Sequence, residues 1–248
     1  MFNNLKNIPL REWFKTIILV GLSGYLAYTI VSENLGNYIN NSRFVWLTWL
    51  AVALFFVLGV ANILPHLRKE NDPALPFETT SIMPKGWVVI AICAIPLALG
   101  VLIPSRPLGV ESLTGTLSTN VSASDKTVIT RDPLKRNILD WLRAFSREAD
   151  KTQFDGVEAE FSGFIYRNPE FEDGQFMVGR FIVSCCTADA DPVGLPVYSL
   201  AAGDLAEGQW VTVRGKFYAD DFRGTITPIL HVETLEQIEQ PKNSYLYP

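Results

Sequence analysis

The sequence predicts a membrane α-helical N-terminal part with three spans, followed by a C-terminal all-β domain that resembles an OB barrel and is preceded by one amphipathic helix. The 248 residues are 48% hydrophobic and only 19% charged, and the mean hydropathy of +0.16 is high for a soluble protein. Long apolar stretches end before residue 104, and the later residues form short runs bounded by turn residues. We therefore expect a transmembrane domain over 1–103, a linker over 104–130, and the helix with the OB-like domain over 131–248.

Three uncharged stretches, 16–32, 44–64 and 87–103, predict the spans. At 1.5 Å per residue, roughly 17 to 21 helical residues can cross a hydrocarbon core of about 30 Å. A secretory signal peptide is the alternative for the first stretch, but no small-x-small cleavage site follows it and two further spans do. Pro96 interrupts the third stretch, so a buried or re-entrant helix is the alternative there.

The distribution of Lys and Arg predicts the orientation of the spans, because cytoplasmic loops carry an excess of these residues. The N-terminal flank has three, the first loop has one and the second loop has three: Lys6, Arg11 and Lys15; Arg43; Arg68, Lys69 and Lys85. This alternation places the N-terminus in the cytoplasm and the C-terminal domain outside it. No span contains a charged residue, which disfavours a proton relay. Asn62 is predicted to form a hydrogen bond between helices or to lie at the interface.

The predicted linker is rich in Ser and Thr, with nine of them among residues 112–130, and it lacks the apolar residues that a core requires. Asp132 and Pro133 then predict the start of a helix, as N-cap and first helical residue. The apolar face of this helix comprises Leu134, Ile138, Trp141, Leu142 and Phe145. Docking onto the following β domain is the favoured interpretation, and a membrane-surface helix is the alternative.

Five segments after residue 156 have the short, turn-bounded pattern of β-strands: 157–167, 175–185, 195–200, 209–219 and 224–238. Five strands in about 85 residues suit an OB-type barrel. Residues 104–248 contain 14 Lys and Arg against 21 Asp and Glu, a net charge of −7, so nucleic acid is not an expected partner. No phosphate-binding Gly loop and no supported Ser/His/Asp set is found, so the sequence does not predict an enzyme.

The most distinctive motif is SCCTADAD, in which two neighbouring thiols precede two carboxylates at the predicted end of a strand. Cys185, Cys186, Asp189 and Asp191, with His231 from the last strand, could hold Zn²⁺ or a similar divalent metal. Neighbouring strand residues point to opposite faces, so the thiols can share an ion only if the backbone turns between them. Two alternatives stay open: a redox pair with a strained disulfide, and a structural or partner-contacting role. A thiol oxidoreductase is remote because no C-x-x-C is present.

Several strings, in order, resemble the YcgQ-like family of bacterial proteins described as permease subunits: IPLALGVLIPSRPLG, ILDWL, FSGFIYR, RFIVSCCTADADPVGLPV, QWVTVRGKF and IEQPKNSYLY. The CCTADA string at 185–190 is the most specific of these. Members of that family are typically encoded beside a predicted multi-span permease related to organoarsenical exporters. The resemblance implies a non-catalytic, multi-pass subunit of the bacterial cell (inner) membrane, with the permease and the lipid bilayer as partners. An extracytoplasmic protein that binds a metal or metalloid through CCTADA is the alternative.

Overall fold

The fold is taken from a computed structural model, which describes residues 10–67, 86–103, 105–113, 115–121, 132–203 and 205–248. The chain divides into two compact units. Unit 1 comprises Met1–Gly36 and Asn41–Arg106, and unit 2 comprises Asn37–Asn40 and Pro107–Pro248. Four basic residues used for the predicted orientation, Lys6, Arg68, Lys69 and Lys85, lie outside the described residues.

Unit 1 contains three helices: α1 (Leu10–Val31), α2 (Asn41–Leu67) and α3 (Gly86–Leu102). Two of them are long and apolar enough to cross a membrane, judged by length and composition alone. The qualifying stretches are Trp13–Val31 in α1 and Arg43–Leu64 in α2, which agree with the first two predicted spans. The third predicted span is helical over 17 residues, and a membrane crossing by α3 stays a prediction.

Polar side chains connect the three helices of unit 1. The Asn62 amide donates to the Thr16 hydroxyl at 3.1 Å, so the prediction of an interhelical hydrogen bond from Asn62 is confirmed. The Tyr25 hydroxyl donates to the backbone oxygen of Gly100 at 2.8 Å and joins α1 to α3. In an apolar environment such hydrogen bonds satisfy groups that water cannot reach.

Unit 2 contains a six-stranded sheet. The strands are β1 (Glu158–Tyr166), β2 (Gln175–Ile182), β3 (Asp191–Tyr198), β4 (Trp210–Phe222), β5 (Thr225–Gln237) and β6 (Tyr245–Leu246). β1 pairs with β2 and β4, and β5 pairs with β4 and β3. One edge of β2 pairs with β3. The other edge of β2 pairs with β1 and, further along, with β6. The five predicted strands are present, β3 begins four residues earlier than expected, and β6 was not predicted.

Both faces of the sheet are buried, and β2 shows this most clearly. Phe176 and Val178 belong to one buried cluster, whereas Met177 and Phe181 belong to a second cluster. Alternate residues of a strand point to opposite faces, so the two clusters lie on opposite sides of β2. A strand buried on both faces has a nearly continuous apolar sequence, which explains the string QFMVGRFI.

The amphipathic helix α4 (Ile138–Arg147) covers the first cluster, as predicted, but its start was placed too early. Asp132 caps only a three-residue 3₁₀ turn, Pro133–Lys135. The α-helix begins after Asn137, whose side chain accepts from the Asp140 N–H while the Asp140 carboxylate accepts from the Asn137 N–H. This reciprocal capping box satisfies two free donors, which decides where the helix begins.

Glycines permit two close approaches in unit 2. Gly179 of β2 and Gly194 of β3 are paired, and a Cβ on either would overlap the side chain of Leu117, which is only 3% exposed. Part of the predicted linker is therefore packed on the sheet. In β4, a Cβ on Gly215 would overlap the backbone oxygen of His231, next to a register shift between β4 and β5. Both sites need the absence of a side chain.

Candidate functional site at the paired cysteines

The chain between β2 and β3 forms a compact loop that is organised by one carboxylate. Asp189 accepts hydrogen bonds from the backbone N–H groups of Ser184, at 3.1 Å, and Cys185, at 2.8 Å. Thr187–Asp189 form a 3₁₀ turn, and the Asp189 N–H donates back to the Cys186 oxygen at 3.0 Å. The aspartate of CCTADA therefore holds the backbone of the first cysteine in place.

A remote segment of the chain supports the same loop from its other side. The 37–40 segment, which follows α1 in the chain and precedes α2, belongs to unit 2. Ile39 and Cys186 form an antiparallel bridge. The Asn40 N–H donates to the Cys185 oxygen at 2.9 Å, and the Thr187 N–H donates to the Tyr38 oxygen at 2.8 Å. Residues 38–40 thus pair with 185–187 as a short extra strand.

Asn40 completes this pairing with its side chain. Its amide donates to the Ser184 oxygen at 3.2 Å, and the residue is only 1% exposed. A buried amide is stable only when its polar atoms have partners, so the fit between Asn40 and the loop is specific.

The two thiols lie side by side and are accessible. The Cys185 and Cys186 sulfur atoms are 3.7 Å apart and both thiols are free. Cys185 is exposed and Cys186 is partly exposed. The two thiols can share an ion only if the backbone turns and brings both sulfurs together. This loop meets that condition.

The carboxylate also determines the protonation of the first thiol. The Cys185 thiol donates to the Asp189 carboxylate, and this bond, with the neighbouring Cys186 thiol, raises the pKa of Cys185 to about 11. The same contact, helped by the backbone N–H donors, lowers the pKa of Asp189. At neutral pH the site is therefore a neutral thiol beside a charged carboxylate, and Cys185 is a weak nucleophile.

The structure brings together three of the five residues predicted as metal ligands: Cys185, Cys186 and Asp189. Asp191 is the exposed first residue of β3. His231 pairs with Tyr198 at the last residue of β3, about 23 Å along the strand from Asp191 at roughly 3.3 Å per residue. The His231 ring lies 5.3 Å from the Tyr198 ring, among aromatic groups rather than beside the thiols.

Within the described ranges, no group of three or more His, Cys, Asp or Glu side chains is arranged to hold a metal ion. The metal site stays a prediction. The geometry limits its candidate ligands to the two thiols and Asp189.

Tyr245 is a residue of this region whose importance the sequence pattern did not indicate. Its hydroxyl accepts from the Leu108 N–H at 2.7 Å and donates to the Asn37 oxygen at 3.1 Å. One buried side chain on β6 thereby connects the 37–40 segment, the chain after α3 and the C-terminal tail. The signal available in the sequence was only the apolar-aromatic tail YLY, which gives no indication of its partners.

Comparison with known proteins places this arrangement in a family. The N-terminal domain of DUF1980 matches residues 14–115, and the DUF1980 C-terminal domain matches residues 118–248. The chain belongs to the DUF1980 family. A DUF1980 relative from Streptococcus mutans serotype c, named as a candidate subunit of a two-component membrane permease complex, is 26% identical. The similarity covers 93% of this chain and 97% of that protein.

Among solved structures, the DUF1980 chain is similar to a small single-stranded DNA-binding protein from Streptomyces coelicolor. The sequence identity is 13%, the TM-score is 0.24, and the match covers 34% of this chain and 94% of that one. A similarity of this size supports no argument about fold or function. The family and the relative's name agree with the permease-subunit resemblance of the sequence.

Proposed function

We propose that this protein is a non-catalytic, membrane-anchored subunit of a permease complex, with three spans and an OB-like domain at the outer face of the membrane. The relative named as a permease complex subunit aligns along nearly the whole of both chains, which is the observation that carries the proposal. The long apolar helices of unit 1 fit a membrane anchor. Charged residues are absent from the predicted spans, so the permease partner would supply the transport pathway.

The strand pairings support the OB-like barrel. They form a closed circuit in the order β1, β2, β3, β5, β4 and back to β1, in which only the β3–β5 pair is parallel. This is the strand order of a five-stranded Greek-key barrel of the OB type, with α4 covering the inner cluster. A closed sheet has no free edge along these five strands, which suits a domain exposed to other proteins.

The 37–40 segment supports three spans. This segment pairs with 185–187 inside unit 2, so the first loop and the C-terminal domain must lie on the same side of a bilayer. The chain between them must then cross an even number of times. If α2 crosses once, α3 must provide the second crossing. With the Lys and Arg distribution, this parity favours an extracytoplasmic C-terminal domain.

The two loops that bind oligonucleotides in many OB domains contact each other in this chain. The β1–β2 loop and the β4–β5 turn are joined by an ion pair between Arg223 and Glu170, at 3.3 Å. The rings of Phe171 and Phe222 also lie 5.0 Å apart. The surrounding carboxylates, Glu172, Asp173, Asp220 and Asp221, would repel phosphates. These contacts support a function in which nucleic acid is not a partner.

The association is tested by purifying the tagged chain at native expression in mild detergent and identifying the permease in the eluate. A matched chimera, in which unrelated spans replace α1, α2 and α3 and residues 37–40 are kept, leaves the C-terminal domain outside and reports which part binds. We expect recovery with the intact chain and loss with the chimera. Recovery of the intact chain alone would contradict the proposal.

The number of spans is tested by a cross-link. In an Ile39→Cys, Cys185→Ser chain, the new thiol faces Cys186 across an antiparallel bridge, at a spacing of about 4.5–5.5 Å between Cα atoms that permits a disulfide. If the disulfide forms in the membrane-embedded chain, the two segments lie on the same side of the bilayer. This result supports an even number of membrane crossings between them. A Thr48→Cys chain on the same background, with its thiol inside α2, is the matched control and should not cross-link.

Binding of a metal or metalloid is the second candidate, because the sulfur spacing favours it. Two thiolates on a tetrahedral Zn²⁺ at about 2.3 Å lie about 3.8 Å apart, and the thiols here are 3.7 Å apart. We expect Zn²⁺ or a trivalent arsenical to bind with proton release, and Cys185→Ser or Cys186→Ser to weaken binding at least about tenfold. Asp191→Asn is the control, and absence of calorimetric heat with both probes would refute this function.

A further inference from the structure

The two thiols of the cysteine loop are placed for a reaction with each other. The Cys185 and Cys186 sulfurs are 3.7 Å apart and both thiols are free. A disulfide bond is about 2.05 Å long, so the sulfurs have to approach each other by only about 1.7 Å. Cys185 is exposed and Cys186 is partly exposed. A soluble oxidant can therefore reach the pair.

The backbone between the thiols has to change when such a bond forms. Cα atoms joined by one trans peptide are about 3.8 Å apart, whereas the Cα atoms of disulfides are usually about 4.4–6.8 Å apart. The small ring of a disulfide between neighbours therefore closes only if the peptide that joins them twists or rotates. This movement changes the direction of two polar groups, the Cys185 C=O and the Cys186 N–H.

Both polar groups of this peptide have partners in the reduced loop. The Cys185 oxygen accepts from the Asn40 N–H at 2.9 Å, and the Cys186 N–H donates to the Asp189 carboxylate. Ile39 also forms its antiparallel bridge with Cys186. Residues 38–40 are therefore paired with a stretch of backbone whose orientation depends on the two thiols staying unlinked.

We propose that the Cys185–Cys186 pair is a site of reversible oxidation by a disulfide, and that closing the bond releases residues 38–40 from the loop. These residues lie between α1 and α2 in the chain. The oxidation state of the thiols thereby determines whether the β domain holds this segment. The inference goes beyond the proposed association with a permease, and it requires neither that partner nor a bound metal.

The oxidant is a disulfide, either of a small thiol compound or of a thiol–disulfide exchange protein. Asp189 accepts the hydrogen bond of the Cys185 thiol, which makes Cys186 the first nucleophile. The Cys186 thiolate attacks one sulfur of the oxidant and forms a mixed disulfide, while the other half leaves as a thiolate. The Cys185 sulfur then attacks the Cys186 sulfur, gives up its proton and releases the second half. The cysteine pair loses two electrons and two protons, and the oxidant becomes two thiols.

The test uses the full chain in mild detergent with a chelator, in a Cys93→Ser background so that the pair holds the only thiols. Reduced and oxidised glutathione set the redox conditions, and intact mass identifies the product. We expect the loss of two hydrogen atoms, which dithiothreitol reverses. Hydrogen–deuterium exchange at residues 38–40 should be at least about tenfold faster in the oxidised chain, because a hydrogen bond that protects them is lost. Exchange in the β4–β5 hairpin, which is held by its own pairing, should be the same in both forms.

The coupling also acts in the opposite direction, because contacts that hold the reduced loop oppose the disulfide. Asn40→Ala removes the side-chain bond to the Ser184 oxygen. At a fixed glutathione ratio it should raise the ratio of disulfide to dithiol by about threefold to tenfold. Asn120→Ala, which shortens an exposed side chain of unit 2, is the matched control and should leave this ratio unchanged.

Four results would overturn the proposal. The first is a glutathione adduct, or no reaction, in place of the intramolecular bond. The others are equal exchange at residues 38–40 in both forms, faster exchange in the hairpin as well, and a ratio for Asn40→Ala equal to that of its parent. The exchange measurement needs no variant of the loop, so it decides the question even if Asn40→Ala folds poorly.

Discussion

Replacing Asp189 with Asn should make Cys185 more reactive, because the carboxylate is the main reason that this exposed thiol stays protonated. The pKa of Cys185 is raised from 9.0 to about 11, and its hydrogen bond to Asp189 is the largest cause. Asn is isosteric, and its single oxygen can keep one of the two backbone N–H bonds that Asp189 accepts. The loop should therefore persist, with some loss of stability, while the negative charge is lost. The substitution is made in a Cys93→Ser, Cys186→Ser background, so that Cys185 is the single thiol that is followed.

The expected change follows from two opposing effects. If the carboxylate caused the whole rise, lowering the pKa from about 11 to about 9 would raise the thiolate fraction at pH 8 from about 0.1% to about 9%, nearly 100-fold. This is an upper limit, because the Cys186 thiol causes part of the rise and is absent from this background. The less basic thiolate is also a weaker nucleophile: with a Brønsted coefficient of about 0.4–0.5, two units of pKa reduce its intrinsic rate about sixfold to tenfold. The net increase in alkylation rate at pH 8 should therefore be about threefold to tenfold.

The assay is the rate of iodoacetamide modification of the full chain, followed by intact mass from pH 7 to pH 11. In the parent that keeps only Cys185 the rate should still be rising near pH 10, whereas after Asp189→Asn it should level off earlier. Asp191→Asn is the matched control, because Asp191 lies in the same segment at the exposed start of β3. Equal rates for Asp189→Asn and its parent, or the same increase with Asp191→Asn, would refute the role assigned to the carboxylate.

Three further outcomes are expected for the full chain. Tyr245→Phe removes both bonds of a buried hydroxyl and should lower the free energy of unfolding by about 1–3 kcal/mol in denaturant titrations; Tyr247→Phe, whose ring also packs on the second cluster, should change it little. Gly215→Ala should cost about 1–3 kcal/mol or more, because its Cβ would overlap a backbone oxygen, whereas Gly203→Ala has ample space and should leave the melting temperature unchanged or slightly higher. Folding lowers the pKa of Asp189, so the stability contributed by its ionised form is present above the unfolded pKa of about 3.9 and is lost as the pH falls through the folded value. The difference in melting temperature between the parent and Asp189→Asn should thus shrink with acidification below about pH 4, and a constant difference would argue against this linkage.

Features that depend on neighbouring residues were predictable from the sequence. The uncharged runs predicted α1 and α2, because the length and composition of one segment decide whether it can cross a bilayer. Five strands and the amphipathic face of α4 followed from local periodicity. The early placement of the start of α4 shows the limit of such signals. Asp132 is a good N-cap residue and does cap a turn, but the reciprocal bonds of Asn137 and Asp140 set the helix start three residues after Lys135.

The candidate site was predictable in composition but not in geometry. SCCTADAD indicated that two thiols and a nearby carboxylate lie at the end of a strand, and the structure brings these groups together. His231 was attached to the site because it lies on the last strand. The sequence did not indicate which end of β3 would lie beside His231. The parallel β3–β5 pairing places His231 beside Tyr198.

The amino-acid sequence by itself determined the division into apolar helices and a β domain, since hydropathy and periodicity act within single segments. Only the tertiary structure decided that β6 joins β2, that Tyr245 connects Leu108 to Asn37, and that residues 38–40 pair with the cysteine loop. These contacts join residues 64 to 208 positions apart in the chain. The energy of these contacts depends on how segments that are distant in the sequence align with each other. A local sequence pattern does not encode this alignment. The protonated thiol of Cys185 and the neighbours of the cysteine pair arise in the same way, from the Asp189 carboxylate held by one turn and from residues 38–40, which are remote in the sequence.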